Sequence, residues 1–134
     1  MPLLIVIALS LHLLASIFWA GSTFALARSG GQGAETLFRP QMGAATLAIL
    51  AGGYLWSQLH AGGEGMPEHV LGIGAMCAVI AAGVQGMMVG GTARKLRNGI
   101  LSQDEARGRF AIGHRIAALL LVVTIVCMGA ARYV

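Results

Sequence analysis

The sequence holds four histidines, and one of them, His12, lies deep in an apolar run, residues 3–27, that contains no Asp, Glu, Lys or Arg. Ser16, Trp19 and Thr23 follow it at spacings of four, seven and eleven, so on a helix all four share one face. A polar stripe in so apolar a segment belongs toward the interior of a bundle, because an ionisable group facing lipid is expensive. An imidazole held there can ligate a metal or haem iron, or it can hydrogen-bond to a neighbouring helix. Ligation is the expectation, with the hydrogen bond as its alternative.

The other histidines lie at different heights. At about 1.5 Å per helical residue, His12 sits roughly 24 Å above Arg28, and His60 roughly 30 Å above Pro40. His114 sits only about 10 Å above the level of Arg107 and Arg109. His12 and His60 are therefore the expected axial pair for one iron. His114, with Met87 or Met88, is a second candidate nearer the basic end. Its alternative is an interfacial His114-Arg115 pair, with the arginine reaching for lipid phosphate. Trp19 and Trp56 are expected beside the ring. Arg28 and Arg39 can meet its carboxylates if the ring lies low.

A second constellation crowds a short loop and the start of the third run. His60, Glu64, Met66, Glu68 and His69 are close in sequence, and Met76, Cys77, Cys127 and Met128 lie deeper, in the outer halves of the third and fourth runs. Imidazole, thioether and thiolate together suit copper, with His69, Met66, Met76 and Cys77 as the ligand set. Methionine and free cysteine in apolar helices also serve as simple filling, which is the plainer reading of the same residues. Gln85, the amide inside the third run, is expected to bond another helix and is a candidate contact for a quinone. No Ser-His-Asp set, intramembrane carboxylate pair or phosphate-binding loop is present, so conventional hydrolytic or phosphoryl-transfer catalysis is not indicated.

Positioning these residues requires elements that the composition makes plain. Of the 134 residues, 57% are hydrophobic and 10% charged; soluble domains carry about 25% charged residues. The mean hydropathy is +0.77. Four apolar runs predict four helices, at residues 3–28, 41–60, 69–95 and 103–133, forming one domain over 1–134. Pro40 is expected in the first turn of the second helix. Ser102 and Glu105 form a capping-box pattern that predicts the start of the fourth. Many of the 20 glycines fall within the runs, where small residues let helices approach closely. On the second run Ala45, Ile49, Gly52, Gly53, Trp56 and His60 share a stripe. On the third, Gly74, Ala78, Ala81, Gln85, Met88 and Thr92 do the same.

The fold expected is all-α, a four-transmembrane-helix bundle. Nine Lys and Arg against five Asp and Glu give a net charge of +4. The basic residues cluster at helix ends and show no stripe with interleaved aromatics, which excludes nucleic-acid binding. Arg28, Arg39, Arg94, Lys95, Arg97, Arg107 and Arg109 flank the first and third connections, while the second holds no Lys or Arg. Both termini are therefore expected outside, in the periplasm of a bacterial inner membrane. The first run has no basic segment before it and is read as a retained helix.

The first run reads Leu11-His12-Leu-Leu-Ala15-Ser-Ile-Phe-Trp19-Ala20-Gly21, with Arg28 at its end. This resembles the first helix of the CopD-like and HemJ-like membrane proteins, by motif over one helix in four. The HemJ-like resemblance implies haem b, protoporphyrinogen oxidation and a role for the first-helix histidine. The CopD-like resemblance implies copper uptake. Only His12, Trp19 and Arg28 carry over by position. The last helix departs from the HemJ-like pattern, reading Gly113-His114-Arg115-Ile116 where that family has Asn-Glu-x-Pro.

The expected function is b-type haem binding for electron transfer or haem-linked oxidation. The alternatives are copper handling and a cofactor-free structural or assembly subunit. The lipid bilayer, a homo-oligomer or larger membrane complex, and a quinone or other redox partner are the expected company.

Overall fold

The computed structural model describes residues 2–134, and among them every regular element is helical. Helix α1 spans Pro2–Arg28, α2 Ala34–Leu59 and α3 Met66–Val84. A π-helical turn, Gln85–Val89, joins α3 to α4, Gly90–Arg97, as one continuous rod, and α5 spans Gln103–Ala130. Side chains of this apolarity can cover a lipid-facing surface but not a water-facing one, and backbone groups in lipid must be satisfied within the helix. Three helical stretches are long and apolar enough to cross a membrane: Pro2–Arg28, Met66–Arg97 and Gln103–Ala130. Large apolar residues such as Leu3, Ile17, Ile80 and Leu119 are left exposed along them.

Helix α2 matches the others in length, but Glu35, Arg39, Gln41, Ser57 and Gln58 dilute its apolar character. It begins at Ala34 rather than Gln41, and Pro40 lies inside it rather than in its first turn. The added turns are stabilised by packing: Ala34 is buried with Leu26, Val89, Ala106 and Phe110, and Leu37 and Phe38 close over them. The α1–α2 turn needs its glycines. Gly30 takes a left-handed φ of 72°, and the Gly31 N–H donates to the Leu26 carbonyl at 2.9 Å. This closes α1 in the manner of a Schellman cap. Gly31 itself has φ 85°, and a Cβ there would lie 2.9 Å from the Ala111 nitrogen and the Arg107 carbonyl.

The expected helix start at Ser102 is observed, with its hydroxyl accepting from the Glu105 N–H at 3.2 Å. The start of α3 is fixed similarly, the Glu68 carboxylate accepting from the Gly65 N–H at 3.0 Å.

Helix α1 lies along α2, and α5 packs against both α1 and α3, while α2 and α3 meet only sparsely. Helix α5 is the central element: 44% of its most apolar stretch is buried, against 17% in each of the other two spans. The core is built of small residues, Ala45, Ala48, Ala78, Ala81 and Ala117, around Trp19 and Leu121. Small side chains bring backbones together where lipid supplies no hydrophobic drive for helix association. Gly74, Ala78, Ala81, Gln85 and Thr92 of the expected α3 stripe are all buried.

Candidate functional site

His12 projects from α1 toward α2, where its Nδ1 donates to the Ala48 main-chain carbonyl at 2.8 Å. A carbonyl oxygen can only accept, so Nδ1 carries the proton and Nε2 keeps its lone pair. The imidazole fits because position 52 has no side chain: a Cβ on Gly52 would lie 3.0 Å from the ring Cε1 and 3.2 Å from Nδ1. A ring held by one nitrogen on a main-chain carbonyl, with the other nitrogen free, is the arrangement that metal-binding histidines use.

That histidine lines a cavity of about 650 Å³ walled by α1, α2, α3 and α5. The volume lies within the roughly 300–1,000 Å³ of small-molecule and cofactor sites. Ala48, Gly52, Gly53, Ala75 and Ala78 form flat stretches of wall, and Trp19 and Trp56 contribute aromatic ones. No charged side chain lines it. Its polar members are His12, Ser16, Thr124 and the indoles of Trp19 and Trp56. Thr124 is already committed, donating to the Gly74 and Leu120 carbonyls at 3.0 Å each.

Below the cavity, toward the basic end, a hydrogen-bonded network ties three helices and the π-turn together. The Trp19 indole N–H donates to the Gln85 side-chain oxygen, and the Gln85 amide donates to the Thr23 hydroxyl at 2.9 Å. Thr23 donates to the Trp19 carbonyl at 2.7 Å, and the Gln41 amide reaches Ser22 at 3.1 Å and Thr23 at 3.4 Å. His114, with 0% exposure, donates from Nδ1 to the Phe110 carbonyl at 2.8 Å. Its Nε2 faces the Gln41 side-chain oxygen at 3.3 Å. The expectation that Gln85 bonds another helix is met. Gln85 opens the π-turn, a kind of irregularity frequent at functional sites.

The structure sorts the remaining sequence candidates. His12, Trp19 and Trp56 share the cavity. His60 does not line it; its Nδ1 contacts the Glu68 carboxylate at 3.1 Å, and its ring lies 5.9 Å from that of Trp56. His114 is enclosed by the network, and Met87 faces outward at 81% exposure. Arg28 is exposed in the last turn of α1. Of the copper set, His69, Met76 and Cys77 line one open groove of about 790 Å³ together with Glu64 and Glu68, whereas Met66 stands outside it. His69 Nδ1 is held by the Gly65 carbonyl at 2.8 Å. Among the described residues no group of three or more His, Cys, Asp and Glu is close enough to hold a metal ion.

Sequence reasoning missed Gln41 and the special place of Gly52, and it grouped Met128 with the soft ligands of the outer constellation, whereas Met128 lines the His12 cavity. Gln41 was legible as an amide at the edge of an apolar run. Gly52 was one glycine among many, and only the His12 ring above it distinguishes it.

Comparison with protein-family models, with curated proteins and with solved structures gave no match.

Proposed function

We propose that this chain is a four-span membrane bundle that binds haem b through His12, for electron transfer or haem-linked oxidation. The observation that carries the reading is the His12 ring, fixed by the Ala48 carbonyl, with its free nitrogen in an apolar cavity of cofactor size. The first-helix pattern of His12, Trp19 and Arg28, similar to that of HemJ-like proteins, points the same way.

The residues fit the group in three respects. Nε2 is available to iron. Alanine and glycine walls leave room for a flat ring between helices. Trp19, pinned by Gln85, and Trp56 offer aromatic surfaces to it. Because no cation lines the cavity, the ring's carboxylates would leave through its opening to meet water or headgroups. Bound there, haem supplies a one-electron couple whose potential the axial ligand and the dry walls tune.

Packing supports the fourth span. Helix α2 lies along α1 and shares its core, so it occupies the same depth in the bilayer. Its polar residues near the two ends suit the interfaces. The α1–α2 and α4–α5 connections stand at one end with seven of the nine cationic residues at or near them, and the α2–α3 connection stands at the other with none. If the basic connections face the cytoplasm, both termini lie in the periplasm of a bacterial inner membrane. A homo-oligomer or a larger complex with a quinone or another redox partner suits the exposed apolar faces.

The test is the visible spectrum of the purified chain in detergent. A Soret band lost in His12→Ala supports the reading, and a protein that stays colourless with haem supplied during expression sinks it. The second reading is copper handling, carried by the shared groove of His69, Met76 and Cys77. A colourless protein that retains Cu(I) through dialysis, and loses it in His69→Ala with Cys77→Ser, would favour it. Neither signal would leave a cofactor-free assembly subunit.

A further inference from the structure

We infer that the second axial ligand is Met128, so that the cavity holds its iron between an imidazole from α1 and a thioether from α5. This inference rests on the haem reading above and deepens it.

Sequence spacing favoured His60 as the partner of His12. In the structure His60 is occupied by Glu68 at 3.1 Å and does not line the cavity. His69 lines the separate outer groove, and His114 is held at the Phe110 carbonyl and does not line the cavity. No second histidine is therefore on hand.

The cavity wall itself then decides the ligand by its donor atoms. Trp19 and Trp56 each have only an indole N–H and no lone pair for iron, and that of Trp19 is already given to Gln85. Thr124 has its hydroxyl proton on main-chain carbonyls. Ser16 offers a neutral hydroxyl on His12's own helix, four residues on and so on the same side of any ring that His12 holds. The one remaining lining side chain with a lone pair suited to iron is Met128, whose sulfur is a soft donor on an unbranched, three-torsion stem. It comes from α5, which packs along α1, so the two donors stand on different walls.

Histidine–methionine ligation has a functional consequence. It raises the reduction potential relative to bis-histidine ligation and fills both faces of the iron. A filled iron has no open position for oxygen, which selects electron transfer over haem-linked oxidation within the proposed function.

The experiment uses the full chain purified with haem bound. The ferric wild type should be low-spin and show the near-infrared thioether-to-iron charge-transfer band. Met128→Leu should keep the Soret band but become high-spin, lose the charge-transfer band, drop in midpoint potential, and bind carbon monoxide in the ferrous form. Met128→His should restore a low-spin spectrum without that band, and His60→Ala should match the wild type. A haem-loaded wild type without the thioether band, or a Met128→Leu variant still low-spin at unchanged potential, overturns Met128 alone. A wild type that takes up no haem overturns the haem reading and this inference together. The wild-type band tests the ligand even should the leucine variant fail to fold.

Discussion

The imidazole of His12 on α1 and the main chain of Ala48 on α2 are joined by a 2.8 Å hydrogen bond. That bond fixes the ring's tautomer and its direction in one stroke. Gly52, one turn further along α2, provides the space for the ring. The site is therefore a property of two helices in register, and changes on either side of the contact have separable consequences.

Gly52→Ala adds a methyl 3.0 Å from the imidazole, tighter than nine in ten real side-chain contacts, so the ring must give by a few tenths of an ångström. Overpacking of this kind costs about 1–3 kcal/mol, and any shift of the ring strains its bond to the Ala48 carbonyl. On the haem proposal, the expected result is a several-fold lower haem-to-protein ratio, read by pyridine haemochrome, in a protein that still purifies as a helical bundle. Full occupancy in Gly52→Ala would show that the ring's placement over Gly52 does not matter.

Gln85→Leu removes both partners supplied by one amide, leaving the Trp19 indole N–H, buried at 3% exposure, without an acceptor. An unsatisfied buried donor costs about 1–3 kcal/mol, although hydrogen bonds within membrane bundles average nearer 0.6 kcal/mol. A loss of about 1 kcal/mol is expected in reversible unfolding in mixed micelles. The circular-dichroism signal of the π-turn region is too small to serve, so the tryptophan emission maximum is the local readout, and it should shift.

Gly31→Ala combines a left-handed backbone with a close approach. The conformation alone costs an L-residue about 1–2 kcal/mol, and a Cβ would also strike the α5 backbone. The loss should therefore exceed that of Gly30→Ala, whose Cβ would meet nothing within 4 Å. Equal losses in the two variants would mean that α5 does not rest on this turn.

Orientation can be read by single cysteines in a background with Cys77 and Cys127 replaced by serine. Ser29→Cys, in the basic α1–α2 turn, should be shielded from a membrane-impermeant maleimide in intact cells. Glu64→Cys, in the α2–α3 connection, should label. The reverse pattern would invert the topology.

Much of this architecture is determined by composition and pattern. Apolar runs without charge dictate helices in lipid, and the Ser102–Glu105 pair marks the start of α5 because a cap is a local interaction between near neighbours. His12, Trp19 and Gln85 announce themselves, since polar groups at such depth must find partners. Which partners they find was left to the tertiary structure. The extension of α2 back through Pro40 depends on contacts with Val89, Ala106 and Phe110, far away in the chain. His60 turns to Glu68 rather than to the cavity because the end of α2 and the start of α3 bring imidazole and carboxylate together, a proximity that height along a helix does not reveal. The sequence alone determined what kinds of group lie within the apolar helices and at what height along each. Only the packing of α1, α2 and α5 decided which of them share a cavity, because depth is set by the rise of one helix and adjacency by the rotation of several against one another.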